Sequence, residues 1–351
     1  MNSYDVVDWG KPLQIAVREI PEPTGTEVLI KVDYCGVCHS DVHIRDGYFD
    51  LGGGKKFQMS DRGMKPPVTM GHEPLGTVVS AGPEAGDVPA GQVRLVYPWT
   101  GCGKCDRCAE EMDNWCMQPR YIGIQRPGGY GEHLLVPHPK YLIDIGDLDP
   151  SYAPILACSG LTTYSAIKKV MPAKPHDTIA ILGAGGLGLM AVAMLKALGH
   201  ESIAVVDIDE GKFEAARNMG ATLTVNPSAP DAQKTLASVE GGVIGVVDLV
   251  GMDQTAALGQ AVLRKGGRYI LVGLFGGETT VSLVTLAQRA MTLQGSYVGS
   301  LQELREVVDL ARSGKLKPIP VASCEPAEIT TILDRLKKGD VVGRVVAKMG
   351  A

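Results

Sequence analysis

The chain alternates short apolar and polar stretches over its first third and then changes rhythm. LQIAVREI (13–20) and EVLIKVDY (27–34) read as strands separated by the turn-forming PEPTGTE. Further short strands are expected at LGTVVSAG (75–82), VRLVYPW (93–99), GEHLLVP (131–137) and YLIDI (141–145), with Gly and Pro between them. That pattern predicts a compact β module, barrel-like. Residues 50–67, DLGGGKKFQMSDRGMKPP, break it and read as a long polar Gly-rich loop. Gly52-Gly53-Gly54-Lys55 lacks the spacing of a phosphate-binding loop, so the stretch is taken as a lid, a binding loop or a plain surface excursion.

From about residue 151 the pattern becomes strand and helix in turn. ACSGLTTYSAIKKV (157–170) reads as a helix. TIAILGAGGLGLMAVAMLKALG (178–199) reads as a buried strand, a glycine turn and a buried helix ending at Gly199. IAVVD (203–207), VIGVVDLVG (243–251), GRYILVGL (267–274) and TLQGSYV (292–298) are strands, and FEAARNMG and TAALGQAVLRKG are helices, the second expected to stop at Gly266-Gly267. A doubly wound parallel sheet over roughly residues 175–298 follows. Ser300 and Glu303 form a capping box opening the helix QELREVVDLARSG. The helix PAEITTILDRLKKG and the strand GRVVAKM are expected to return to the first domain. No fixed-period repeat is present.

With 351 residues the chain suggests two domains. At 45% hydrophobic and 21% charged it has a sizeable core, and a net charge of -5 argues against a nucleic-acid surface. Residues 179–195 carry no charge but fall short of a membrane span and are broken by glycines. MNSYDVVDWGKP has no apolar core of the kind a secretory leader needs, so a cytoplasmic protein is expected. Eight cysteines in such a chain point to metal ligands rather than to disulfides.

Cys102, Cys105, Cys108 and Cys116 follow a C-x2-C-x2-C-x7-C spacing. Four thiolates that close together can complete a tetrahedral shell, which leaves no place for water and makes the site structural. Zinc is preferred over an iron–sulfur cluster because no other electron-transfer feature accompanies it. A second set lies in VDYCGVCHSDV (32–42), Gly71-His72-Glu73 and Cys158. Cys38, His72 and Cys158 supply three soft donors and leave one position open, as a catalytic zinc requires. Cys35 and Cys324 read as small buried residues. Gly183-x-Gly185-x-x-Gly188 stands where a strand hands over to a helix, so a pyrophosphate can approach the helix N–H groups. Asp207 follows some twenty residues on and can hold a ribose 2′-OH, favouring NAD over NADP.

Together, CHSDVH, GHE, the four-cysteine lobe, CSGLTTY and GAGGLG, in this order over nearly the whole chain, resemble the zinc-dependent alcohol dehydrogenases of the medium-chain dehydrogenase/reductase superfamily. The resemblance implies a GroES-like β-barrel catalytic domain, residues 1–158 and 299–351, with a structural zinc lobe at about 100–118. It implies an NAD-binding Rossmann domain at 159–298, making the fold class α/β. It implies Cys38, His72 and Cys158 on a catalytic zinc, with Glu73 able to exchange onto the metal, and a second, structural zinc. Asp41 would hold the histidine ligand, Ser40 would take the alcohol proton and His43 would end the relay. Thr162 would lie beside the nicotinamide, Gly183, Gly185, Gly186, Leu187 and Gly188 around the pyrophosphate with Arg344, and Lys212 at the adenosine ribose. The expected reaction is reversible hydride transfer between an alcohol and NAD. A polyol dehydrogenase and a catalytically silent NAD-binding protein are the alternatives. Trp99, Tyr48 and Phe49 are possible pocket walls. A homodimer or homotetramer is implied, with no nucleic-acid or membrane partner. The stretch at 50–67 makes the gap from Cys38 to His72 longer than the family's usual one.

Overall fold

The computed structural model describes residues 1–350. Six parallel strands form one sheet in the order Leu223–Val225, Ile203–Val206, Thr178–Leu182, Val243–Asp248, Leu263–Leu271, Thr292–Gly295. The strand at Thr178–Leu182 lies inside the sheet, so the chain winds outward to one side and then to the other. Every residue of Thr178–Leu182, Ile203–Val206 and Val243–Asp248 is buried. Continuous Val and Ile runs suit strands covered on both faces by helices. Helix Gly186–Ala197, apolar all round, packs against Ser159–Val170, which in turn meets Leu301–Arg312.

The other domain is built mainly on a seven-stranded sheet, antiparallel except at one pair. Its path is Leu142–Asp144, Val93–Val96, Pro74–Ala81, Val28–Val37, Arg344–Lys348, Val321–Cys324, with His133–Val136 also paired to Val28–Val37. A three-stranded sheet, Gln14–Val17, Asn2–Val6, Val68–Thr69, lies beside it. The strand Arg344–Lys348 therefore does return to the first domain, where Val346 stands opposite Gly36.

Two expectations need correction, and one strand was not anticipated. The stretch 50–67 is not a featureless loop. Tyr48–Gly52 and Lys55–Gln58 form an antiparallel hairpin, followed by a short turn of 3-10 helix at Met59–Arg62. Gly53 and Gly54 both have positive φ, 56° and 75°, the conformation of a two-residue turn whose twist matches the strands. The helix expected to run to Gly266 ends at Val262, and the strand already begins at Leu263. Strand pairing with Val243–Asp248, through an irregular register, claims Leu263–Gly267 from the helix. The first strand, Asn2–Val6, was hidden because its polar Asn2, Ser3 and Asp5 break the apolar alternation.

Candidate active site and metal centres

Strand Val28–Val37 ends against a helix, His39–Asp46, with Cys38 at its N-cap. Gly47, φ 83°, closes the helix in the left-handed conformation. This short helix sets four expected residues at once: Cys38 before it, Ser40 and Asp41 in its first turn, His43 in its last. Ser40 and His43 are three apart and share a face.

The thiols of Cys38 and Cys158, His72 and Glu73 bring their donor atoms within 4.8 Å of one another, all in buried residues. The two sulfurs are 3.9 Å apart. Two thiolates at zinc–sulfur distance in a tetrahedron stand about 3.8 Å apart. His72 Nδ1 is 3.0 Å from Asp41 Oδ1, while His72 Nε2 is buried with no partner. A bare buried ring nitrogen beside two thiols is a donor waiting for a cation. The Cys38 N–H and the Tyr130 hydroxyl donate to Asp41 Oδ2, at 3.0 and 2.9 Å. Asp41, fully buried, thus fixes one ligand ring, the backbone of another ligand and a tyrosine. Cys38 is held below the usual thiol range, chiefly by the hydrogen bond from Cys158, whose own thiol that bond pushes up. Metal binding would require both sulfurs as thiolates and so release whatever protons they carry.

Glu73 is ion-paired through Oε1 with Arg344, and its Oε2 is buried without a partner. Burial pushes its carboxyl up to about 7, against the pull of Arg344. A side chain on Gly36 would run into this carboxylate, so the backbone there must stay bare. Trp99 lies with its ring centroid 5.4 Å from that of His72, and its indole N–H is taken by the Ala157 carbonyl. Tyr121 and Tyr297 surround the indole at 5.5 and 6.2 Å.

Cys102, Cys105, Cys108 and Cys116 also bring their sulfurs within 4.8 Å of one another. Cys105 Sγ is 3.5 Å from Cys108 Sγ and 3.7 Å from Cys116 Sγ. The Cys102 and Gln118 backbone N–H groups point at Cys116 Sγ, the pattern that stabilises a thiolate. Four sulfurs and no oxygen suit zinc as a structural ion. Cys35, by contrast, is fully buried on its strand and belongs to neither cluster. Cys324 is buried as well.

At the second domain, Gly183 has φ 101° and Gly188 packs its Cα against the Gly183 carbonyl, so a Cβ at either position is unwelcome. Gly185 has open space beside it, and Gly186 begins the helix. Leu187 is half-buried. Asp207 ends beside the turn: its Oδ2 accepts the Ala184 N–H at 2.7 Å and its Oδ1 the Asp209 N–H at 2.9 Å. Each oxygen keeps a second lone pair for a ribose hydroxyl. Lys212 Nζ is 3.9 Å from Asp207 and 3.6 Å from Asp209. Thr162, one turn after Cys158, is buried with its hydroxyl unpartnered. Gly186 abuts Gly343 and Arg344, so the glycine turn and the Glu73 pair meet at one residue.

Tyr130, His39 and Phe275 were missed. Tyr130 lies just before an expected strand and drew no reading of its own, since nothing in strand alternation tells what a hydroxyl reaches. His39 and His43 have ring centroids 5.2 Å apart; Phe275 lies 4.7 Å from His39 and Phe49 4.9 Å from His43. Phe49 thus lines the helix that carries Ser40 and His43, whereas Tyr48 instead lies under the Lys56 ammonium, at 3.7 Å. A cavity of about 490 Å³, lined by Arg18, Val68, Ile124, Arg126 and Leu134 among others, contains none of the donor residues.

Two family models match the chain: "Alcohol dehydrogenase GroES-like domain" over residues 24–147 and "Zinc-binding dehydrogenase" over 186–313. An NAD-dependent alcohol dehydrogenase of Sulfurisphaera tokodaii is 37% identical over 349 residues, 99% of each chain. The crystal structure of an alcohol dehydrogenase from Aeropyrum pernix superposes with a TM-score of 0.89 at 29% identity, over 99% of this chain and 100% of that one. The D-arabinose dehydrogenase from Sulfolobus solfataricus does so at 0.84 and 27%, over 99% and 98%.

Proposed function

The chain belongs to the zinc-type alcohol dehydrogenases of the medium-chain dehydrogenase/reductase superfamily, and from that membership we propose how its own residues carry out a reversible hydride transfer between an alcohol and NAD. The observation that carries the reading is the convergence of Cys38, Cys158 and the bare Nε2 of His72 in one buried spot. A zinc ion held there supplies a Lewis acid that acidifies an alcohol hydroxyl, and NAD supplies the hydride acceptor.

Cys38, His72 and Cys158 hold the metal, and Asp41 keeps the His72 ring turned toward it. Ser40 takes the alcohol proton and His43 passes it outward, one helical turn away on the same face. Burial and the neighbouring His39 lower the His43 pKa to about 4, so its imidazole is neutral at pH 7 and would hold a relayed proton only in passing. Glu73, paired with Arg344, has a carboxylate oxygen within reach of the other three donors and could exchange onto a metal held there. Gly183, Gly185, Gly186, Leu187 and Gly188 cradle the pyrophosphate with Arg344, Asp207 and Lys212 take the adenosine ribose, and Thr162 meets the nicotinamide. The four-cysteine lobe holds the second zinc.

The Trp99 indole offers carbon, not a free hydrogen-bonding atom, beside His72. That favours apolar alcohols over polyols. The likeness to a D-arabinose dehydrogenase keeps the polyol reading as the second one.

The domain division is residues 1–158 with 299–351, and 159–298. The parallel sheet from Leu223 to Gly295 and the return of Arg344–Lys348 to the first sheet support it. No described helix is long and apolar enough to cross a membrane. A reducing cytoplasm is the setting in which six ligand thiols stay available. A dimer or tetramer is favoured by the edge strand Thr292–Gly295 and the exposed Leu283 and Val284 near it.

The test is NADH formation by zinc-replete protein with NAD or NADP across primary, secondary, aromatic and polyol alcohols. Turnover with apolar alcohols and NAD is expected. Silence across the panel despite NAD binding would replace this reading with that of a non-catalytic dinucleotide binder.

A further inference from the structure

The hairpin at 48–58 leaves the catalytic domain and rests on the other one. Gly52 is so close to Gly277 and Glu278 that a Cβ on it would come within 2.7 Å of Glu278 Cγ and of the Gly277 carbonyl carbon. From the opposite side, a Cβ on Gly276 would come within 2.6 Å of the Asp50 carbonyl oxygen. A bare backbone is thus present on both faces of one contact. Lys55 Nζ adds an exposed ion pair with Glu278 at 3.6 Å, which is weak in water.

The touched segment, 273–279, follows strand Leu263–Leu271 at the carboxyl edge of the parallel sheet. Ligands of open α/β sheets lie in the crevice at that edge. The segment is tied to the crevice floor: the Phe275 and Gly276 N–H groups donate to the Val250 and Gly251 carbonyls, at 3.2 and 3.1 Å. Its Phe275 ring reaches across to His39. On the hairpin side, Phe49 stands beside His43 and opposite Phe57. A row of four rings, Phe49, His43, His39 and Phe275, therefore runs from the hairpin over the catalytic helix to the dinucleotide domain.

We propose that Gly52 and Gly276 are positioning residues of a latch across the cleft, and that their backbone contact sets how fast the reduced dinucleotide leaves. The inference rests on the NAD-dependent reading above. With the latch closed, 273–279 and the hairpin bridge the cleft that the dinucleotide must leave by. Release then requires this contact to open, together with the Phe275–His39 packing behind it.

The glycines supply their own control. Gly54, φ 75°, has the same left-handed backbone as Gly52, φ 81°, yet nothing lies within 4 Å of where its Cβ would be. Gly54→Ala strains the hairpin turn and leaves the contact alone; Gly52→Ala strains the same hairpin and wedges it off Glu278. NADH release is followed by stopped-flow fluorescence on displacement from the zinc-replete protein. Gly52→Ala and Gly276→Ala are expected to release NADH about fivefold faster or more, with Gly54→Ala at the parent rate. Zinc content and circular dichroism check that each variant is folded. If both wedging variants release NADH at the Gly54→Ala rate, the latch is overturned. If the parent binds no NADH at all, the failure lies with the NAD-dependent reading. Should Gly276→Ala not fold, Gly52→Ala against Gly54→Ala decides alone, since both changes lie on the surface hairpin.

Discussion

His72 Nδ1 stands 3.0 Å from Asp41 Oδ1, and that one bond decides which ring nitrogen faces the metal. The carboxylate can only accept, so Nδ1 carries the proton and Nε2 is left as the donor. Asp41→Asn presents an amide that can offer N–H to the same nitrogen and favours the opposite tautomer. Zinc affinity and kcat are expected to fall about 10- to 100-fold. Chelator competition against zinc content, measured beside kcat, checks this; unchanged zinc retention would show that Asp41 is only packing.

The four-cysteine lobe acts on stability rather than chemistry. Without metal, Cys108 is pushed up to about 12 by burial, while Cys102 is drawn down to about 6, mainly by the Lys104 N–H, so the free sulfurs do not share one protonation state. Cys116→Ser removes the sulfur at which two backbone N–H groups converge. One zinc per chain should be lost and the Tm lowered by several degrees, as expected for a structural site. Metal analysis with a thermal melt tests it, and two zinc ions with an unchanged Tm would contradict it.

If Asp207 holds the adenosine ribose as proposed, an extra phosphate there would meet a carboxylate whose two oxygens are each steadied by a backbone N–H group. Asp207→Asn removes the charge and keeps the shape. The ratio of kcat/KM for NAD over NADP is expected to fall about tenfold, roughly 1.4 kcal/mol. A ratio that does not move would mean that steric exclusion, not repulsion, selects the coenzyme.

His43 gives the acid side of the stability profile. Its pKa is lowered from an ordinary 6.5 to about 4, first by burial and then by His39. Between those values the unfolded chain binds the proton and the folded one does not, so stability falls as pH falls. Above pH 6.5 both states are neutral and the contribution is constant. His43→Gln should flatten the drop in Tm between pH 6.5 and 4 relative to the parent. Parallel curves for the two proteins over that range would remove His43 as the cause.

Most of the donor sets were legible because the ligands come with local spacing: Cys38 before Ser40, Asp41 and His43, His72 before Glu73, four cysteines in fifteen residues; Cys158 has no such neighbours and was placed only as the third donor that Cys38 and His72 needed. The glycine turn was equally legible, since only a strand-to-helix handover needs Gly183 and Gly188 so bare. Contacts between distant segments were not. Tyr130 reaches Asp41 from 89 positions away, and no pattern in GGYGEH announces it. The hairpin at 48–58 was overlooked because Lys55 and Lys56 look like loop residues, although paired glycines between two aromatic positions are a hairpin signal. Leu263–Gly267 misled in the other direction: helical periodicity continues through it, and pairing with a neighbouring strand overrides it.

The two metal clusters also differ in when they can exist. Cys102 to Cys116 are complete as soon as one short segment has been made. Cys38 sits at the end of a strand whose neighbour on one side, Arg344–Lys348, is synthesised only after the whole parallel sheet between them. On a ribosome, where amino-terminal parts emerge and fold first, the lobe can take its zinc early, whereas the Cys38 site awaits Cys158 and then the closing strand. Metal starvation late in synthesis would therefore leave a folded, lobe-filled and inactive protein, distinguishable by a metal count of one per chain and recoverable by adding zinc afterwards.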